Sequence, residues 1–117
     1  MIVRSYQQVD QQEVTMPGAA GVGVRWLIGE KEGAPNFAMR HFEIEPGGHT
    51  PKHHHPYEHE VFILDGEGVV LEGDAEHPFR AGDSIYVAAD EVHQFQNTGG
   101  KPVRFLCMIP SENKCTD

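Results

Sequence analysis

Five of the chain's eight histidines fall within residues 47–66, GGHTPKHHHPYEHEVFILDG: His49, His53, His54, His55 and His59. His53 and His55 are two apart, and on an extended strand such residues project from one face, so both imidazoles can converge on a point. Pro56, Tyr57 and Glu58 then make a loop able to return His59 toward that point. Neutral imidazole is the commonest protein ligand for first-row divalent metals. The pattern therefore predicts a metal site with His53, His55 and His59 as ligands. Solvated surface histidines or a tag would be the plain alternative, but this cluster is internal, interrupted, and set between a Pro46-Gly47-Gly48 turn and an apolar run at 61–64. His54 has the opposite parity and reads as a surface residue. His49 has the right parity but lies four residues away, which makes it pocket wall at most. Glu58, its neighbour, stands as an alternative to His59 for the third ligand.

Short strands must position these ligands. Val22, Val24, Trp26 and Ile28 alternate with Gly23, Arg25 and Leu27, the period of a half-buried strand. Further strands are predicted at 37–44, 61–64, 69–71, 78–80, 84–87, 93–96 and 103–109, separated by Gly- and Pro-containing turns. Asp65-Gly66-Glu67-Gly68 reads as a hairpin joining the strands at 61–64 and 69–71. Residues 1–6 read as an edge or swapped strand and 7–15 as a polar arm. Trp26 and Phe62 are assigned to the core. No segment carries a helical period, so an antiparallel sandwich or barrel is expected.

The spacing Gly47-x5-His53-x-His55-x3-His59-x6-Gly66 resembles the first motif of the cupin superfamily, with His59 where the family usually has Glu and Glu60 as the third-ligand alternative that the longer cupin spacing implies. Gly82-x5-Ala88-x-Asp90-x2-His93-x3-Asn97 fits the second motif, with Ala88 and Asp90 replacing its usual Pro and Gly. The resemblance extends over about residues 36–110 and points to small single-domain bacterial cupins with four-histidine sites. It implies an all-β fold, a small antiparallel β-barrel of the jelly-roll or double-stranded β-helix type, with 1–117 as one domain. His93 becomes the fourth metal ligand through its motif position. The resemblance also favours manganese or iron as the divalent metal, whereas all-imidazole coordination by itself suits zinc, copper, nickel or iron. A homodimer, with an edge or residues 1–15 pairing across the interface, is implied as well.

Replacing the family's carboxylate by His59 leaves a divalent site with roughly two net positive charges instead of about one, a stronger Lewis acid toward anionic oxygen ligands. Around it, the candidate catalytic residues are Arg40, Tyr57, Glu60 and Cys107. Arg40 shares parity with Phe42 and Ile44, placing a guanidinium on an apolar face, where it needs a carboxylate partner or an anionic ligand. Val103, Phe105, Cys107 and Ile109 share the lining face of the last strand. Three function classes follow. The first is a dioxygenase-like or peroxide-using oxidoreductase acting on a small organic substrate. A metal-assisted isomerase or lyase is the second, with Glu60, Tyr57 or Tyr86 as base. The third is a non-catalytic metal or small-ligand-binding module.

At 117 residues the chain has room for a single core. A net charge of −9 opposes binding to nucleic acid or anionic membranes. Residues 1–14 lack the apolar core of a signal peptide and no run is long enough to span a bilayer, so a cytoplasmic location is expected. Cys107 and Cys115 are too close for a useful staple and read as free thiols, with 111–117 as a frayed tail.

Overall fold

The computed structural model describes residues 1–111. Nine strands form one curled antiparallel sheet: β1 (Gln12–Glu13), β2 (Ala20–Ile28), β3 (Phe37–His49), β4 (His59–Asp65), β5 (Glu67–Glu72), β6 (Ala75–Arg80), β7 (Ser84–Val87), β8 (His93–Asn97) and β9 (Val103–Pro110). The spatial order β6-β5-β8-β3-β9-β4-β7, with β2 also beside β3 and β1 beside β2, is an all-β jelly-roll barrel. The long β3 organises it: residues 37–44 pair with β9, and His49 reaches β8. One ladder thereby ties the two halves of the barrel together.

Two sequence expectations fail here. β4 and β5 do not form a hairpin: β4 lies between β9 and β7, whereas β5 lies between β8 and β6. Gly66 is the point where the chain crosses between them. Its φ of 87° and a virtual Cβ only 2.8 Å from the Pro102 carbonyl leave no place for a side chain, so the same glycine that suggested a hairpin serves a crossover. Phe62 is not a core residue. Val61 and Ile63 take the inward positions of β4 and are buried, which puts Phe62 and Leu64 on the outer face, each 43% exposed. Trp26 is partly buried and packs against the core.

That core runs through Ile44, Ile63, Val103 and Cys107, all almost wholly buried. Burying an aliphatic side chain of this size contributes roughly 1.5–3 kcal/mol. Phe105 joins the halves by stacking on Phe42 and Phe95, with centroids 5.1 and 5.0 Å away.

Residues 1–6 include no strand in this chain. Instead Tyr6–Gln8 form a 3-10 turn capped by Ser5. Arg25 anchors this arm by donating to the Tyr6 and Val9 carbonyls at 3.2 and 2.6 Å, and Tyr6 stacks on the buried His41. At the other end Ser111 is buried and its N–H donates to the Asn36 carbonyl, so the chain is held one residue further than the expected tail boundary. Cys115 lies outside the described residues.

Candidate metal centre

His53 and His93 face each other across a two-way backbone bridge, with N–H to carbonyl distances of 3.1 and 3.0 Å. The bridge fixes two rings from segments forty residues apart in the chain, with centroids 5.0 Å apart. His53, His55 and His93 each bring one nitrogen within 4.8 Å of the others. The three form a site able to hold a metal ion. His59 opens β4 beside them: its Nε2 lies 2.6 Å from His55 Nε2 and its ring is 5.1 Å from that of His93.

Backbone carbonyls set two of the tautomers. His55 Nδ1 donates to the Tyr57 carbonyl at 2.9 Å, and His93 Nδ1 donates to the Glu91 carbonyl at 2.8 Å. Each leaves its Nε2 as a lone-pair donor, the arrangement that outer partners give metal-bound histidines. Burial, reinforced by the Arg40 charge and the neighbouring rings, pushes His59 down to about 2. Burial likewise lowers His93 to about 4 against the opposing bond to Glu91. Both rings are neutral at physiological pH, so a cation need displace no proton charge from them. A cluster of inward-facing imidazole nitrogens fits a divalent transition metal.

The turn before His93 explains how the motif survives its two replacements. Asp90 stands where the family has Gly and adopts φ 64°, a left-handed conformation that Asp tolerates better than most residues. Its N–H donates to the His55 carbonyl at 2.8 Å, tying the turn to the ligand segment. Asn97 closes the motif from a buried position. Its side-chain amide donates to the Lys101 carbonyl and its oxygen accepts from Gly99 N–H, which pins the following loop, while a second amide bond to the Ile44 carbonyl ties it to β3.

The histidines line one end of a cavity of about 170 Å³ whose walls include Trp26, Phe42, Tyr57, Phe95 and Phe105. Arg40 projects into it, with its guanidinium 5.3 Å from the Trp26 ring and 4.9 Å from that of Phe42. Register puts Arg40 opposite Cys107, and its Nη2 donates to Cys107 Sγ at 3.2 Å. Arg40 Nε is buried with no hydrogen-bond partner among the described residues. No Asp or Glu is among the described residues that line the cavity. Cys107 is buried, which pushes its thiol up, while the Arg40 charge opposes the shift.

Of the residues expected at the site, Arg40, Tyr57, Cys107 and the four histidines all line this cavity. Tyr57 stacks on His55 at 3.9 Å. Glu60 is exposed on the outer face of β4, in a groove with Phe37 and Met108, and is not brought to the histidines. Glu58 and His54 are exposed as well. His49 sits outside the cavity, within 3.3 Å of the Gln94 side chain. Sequence reasoning missed Phe95, although it shares a face with His93 two residues before it. It also missed Val14 and Met16, which close the cavity from a polar arm that gave no sign of reaching it.

A barrel of this order, with imidazoles of the 53–55 segment and β8 gathered at one point, defines a jelly-roll protein with a site able to hold a metal ion. The Cupin domain family model matches residues 40–109, and the chain belongs to the cupin superfamily. It is 31% identical over 112 residues to an oxalate-binding protein of Thermotoga maritima, covering 93% of each chain. It is 34% identical to 1-methylthio-D-xylulose 5-phosphate methylsulfurylase of Rhodospirillum rubrum, over 63% of this chain and 47% of that one. Among solved structures it resembles the polyketide cyclase RemF from Streptomyces resistomycificus, with a TM-score of 0.90 and 32% identity over 96% of this chain and 80% of that one. No helix among the described residues is long and apolar enough to cross a membrane.

Proposed function

We propose that this chain is a metal-dependent enzyme acting on a small, partly apolar organic anion, with His53, His55, His59 and His93 holding one divalent metal, manganese or iron. One observation carries the reading: four imidazoles and a guanidinium share an apolar cavity that no described carboxylate lines. A half-buried guanidinium on an apolar cavity wall, without a carboxylate partner there, favours an anionic ligand. When bound, the metal supplies Lewis acidity at its open coordination positions. Arg40, steadied between Trp26 and Phe42, draws the negative group of the substrate. Aromatic walls exclude water, and the volume restricts the substrate to a small molecule.

The reaction class favoured by this cavity is an oxidoreductase, dioxygenase-like or peroxide-using. Proton abstraction requires a base within reach, and Glu60 and Tyr86 are both exposed. Likeness to a polyketide cyclase over nearly the whole chain favours a second reading, metal-assisted isomerase or lyase chemistry, with Tyr57 as the cavity's proton-transfer group. Likeness to an oxalate-binding protein supports a third, small-ligand binding without turnover. The chain loaded in turn with Mn²⁺, Fe²⁺ and Zn²⁺ is to be screened against small carboxylates and enolisable carbonyl compounds, with and without oxygen or peroxide. Consumption of oxidant with turnover supports the first reading. Undiminished anaerobic turnover replaces it with the second, and binding without turnover with the third.

The exposed Phe37, Phe62, Leu64 and Tyr86 side chains supply apolar surface for the homodimer this reading includes. Sedimentation of a Phe62→Ser variant as a monomer, beside a dimeric parent, is the corresponding test.

A further inference from the structure

Metal binding and anion capture give the buried thiol of the cavity no role. Cys107 is 1% exposed, and its sulfur meets both parts of the proposed site. Arg40 Nη2 donates to Sγ at 3.2 Å, and His59 Nδ1 lies 3.1 Å from it. The sheet dictates the meeting. Arg40 on β3 and Val61 on β4 both pair with Cys107 on β9, and His59, two residues before Val61, is its diagonal neighbour on the same face.

Proton accounting gives that sulfur a task. A carbonyl oxygen only accepts, so the bond from His55 to the Tyr57 carbonyl puts the His55 ring proton on Nδ1. His55 Nε2 then offers a lone pair toward His59 Nε2, 2.6 Å away. Two lone pairs at that distance repel unless a proton or a cation lies between them. With a proton there, neutral His59 carries it on Nε2, and His59 Nδ1 accepts from the Cys107 S–H. A divalent cation held by both Nε2 atoms would leave neither of them protonated. The single ring proton of His59 must then lie on Nδ1, directed at Sγ, which accepts it beside the Arg40 donor.

We infer that Cys107 is a positioning residue for the metal ligand His59, holding its ring in either tautomer because sulfur both donates and accepts. A thiol suits that exchange better than a carbonyl, which would lock His59 in one tautomer as Tyr57 and Glu91 lock His55 and His93. The inference rests on the four-histidine reading above. It adds that Arg40 and the metal share one hydrogen-bonded chain, Arg40 to Cys107 to His59.

The test is titration of Co²⁺ and Zn²⁺ into the full chain and into Cys107→Ser, Cys107→Val and Cys107→Ala. Serine keeps a group that donates and accepts, whereas valine keeps the volume and loses both functions. Wild type and serine variant are expected to bind one Co²⁺ with affinities within about threefold. The valine and alanine variants should bind 10–100-fold more weakly, the usual loss when an outer partner of a ligand is removed, with a shifted Co²⁺ visible spectrum. Melting of the metal-free chains separates a folding defect from a ligand effect, and alanine decides if valine fails to fold. Equal weakening by serine, valine and alanine, or an unchanged affinity and spectrum in the folded variants, overturns the role of Cys107 while leaving the metal site standing. Failure of the wild type to bind Co²⁺ overturns the metal reading itself.

Discussion

The Nε2 atoms of His55 and His59 lie 2.6 Å apart, beside the buried His93 and the half-buried His53. In the metal-free chain a proton is shared between these two nitrogens; a cation that takes its place gains both as ligands. Replacing any one of the four by Ala should therefore weaken Zn²⁺ or Mn²⁺ binding at least tenfold, as measured by chelator competition. His54→Ala and His49→Ala, outside the cavity, should leave the affinity within twofold. Equal effects from all six substitutions would contradict the ligand set.

Acid should destabilise the metal-free protein in a defined window. His59 and His93 sit at about 2 and about 4 in the folded chain, below the ordinary value near 6.5. The unfolded chain takes up protons that the folded chain refuses, so the stabilising contribution is complete above pH ~6.5 and declines as the pH falls toward the folded values. From pH 7 to pH 5 the loss is on the order of 2 kcal/mol per group. Urea unfolding at the two pH values measures it, and His59→Gln should reduce the difference.

If Arg40 captures an anion, its removal should cost binding rather than stability. Arg40→Met removes a half-buried guanidinium whose buried Nε has no hydrogen-bond partner among the described residues and keeps much of the packing against Trp26 and Phe42. The variant should be more stable by about 1 kcal/mol while binding oxalate or benzoate at least tenfold more weakly by calorimetry. A variant that loses stability and keeps anion binding would show that Arg40 serves the fold.

Asp90 occupies a left-handed turn that holds the His55 carbonyl. Asp90→Val should cost about 1–2 kcal/mol in thermal or urea unfolding, because a β-branched side chain opposes positive φ. Asp90→Gly should fold as well as the parent, its relief of strain offset by a more flexible unfolded chain.

How much of this was legible beforehand depends on the range of the interactions. Strand positions and the parity of His53, His55, Arg40 and Cys107 are local properties, and the cavity contains all four as expected. Glu60 was placed by its fit to the longer cupin spacing, yet one step along a strand reverses the face, and it points to solvent. Phe62 failed for the same reason, since an unbroken apolar run at 61–64 conceals which two residues turn inward. The crossover at Gly66 was misread because a glycine turn looks alike whether its strands pair with each other or with distant partners. The meeting of Cys107 with His59 depends on the β4–β9 register, which no local pattern encodes.

Metal content and coordination decide the central claim most directly. The full chain, produced without a histidine tag, should contain close to one Mn or Fe per chain by elemental mass spectrometry, with X-ray absorption reporting four imidazole nitrogens in the parent and three in His59→Ala. Substoichiometric metal, or a coordination shell unchanged by loss of His59, would contradict a four-histidine centre.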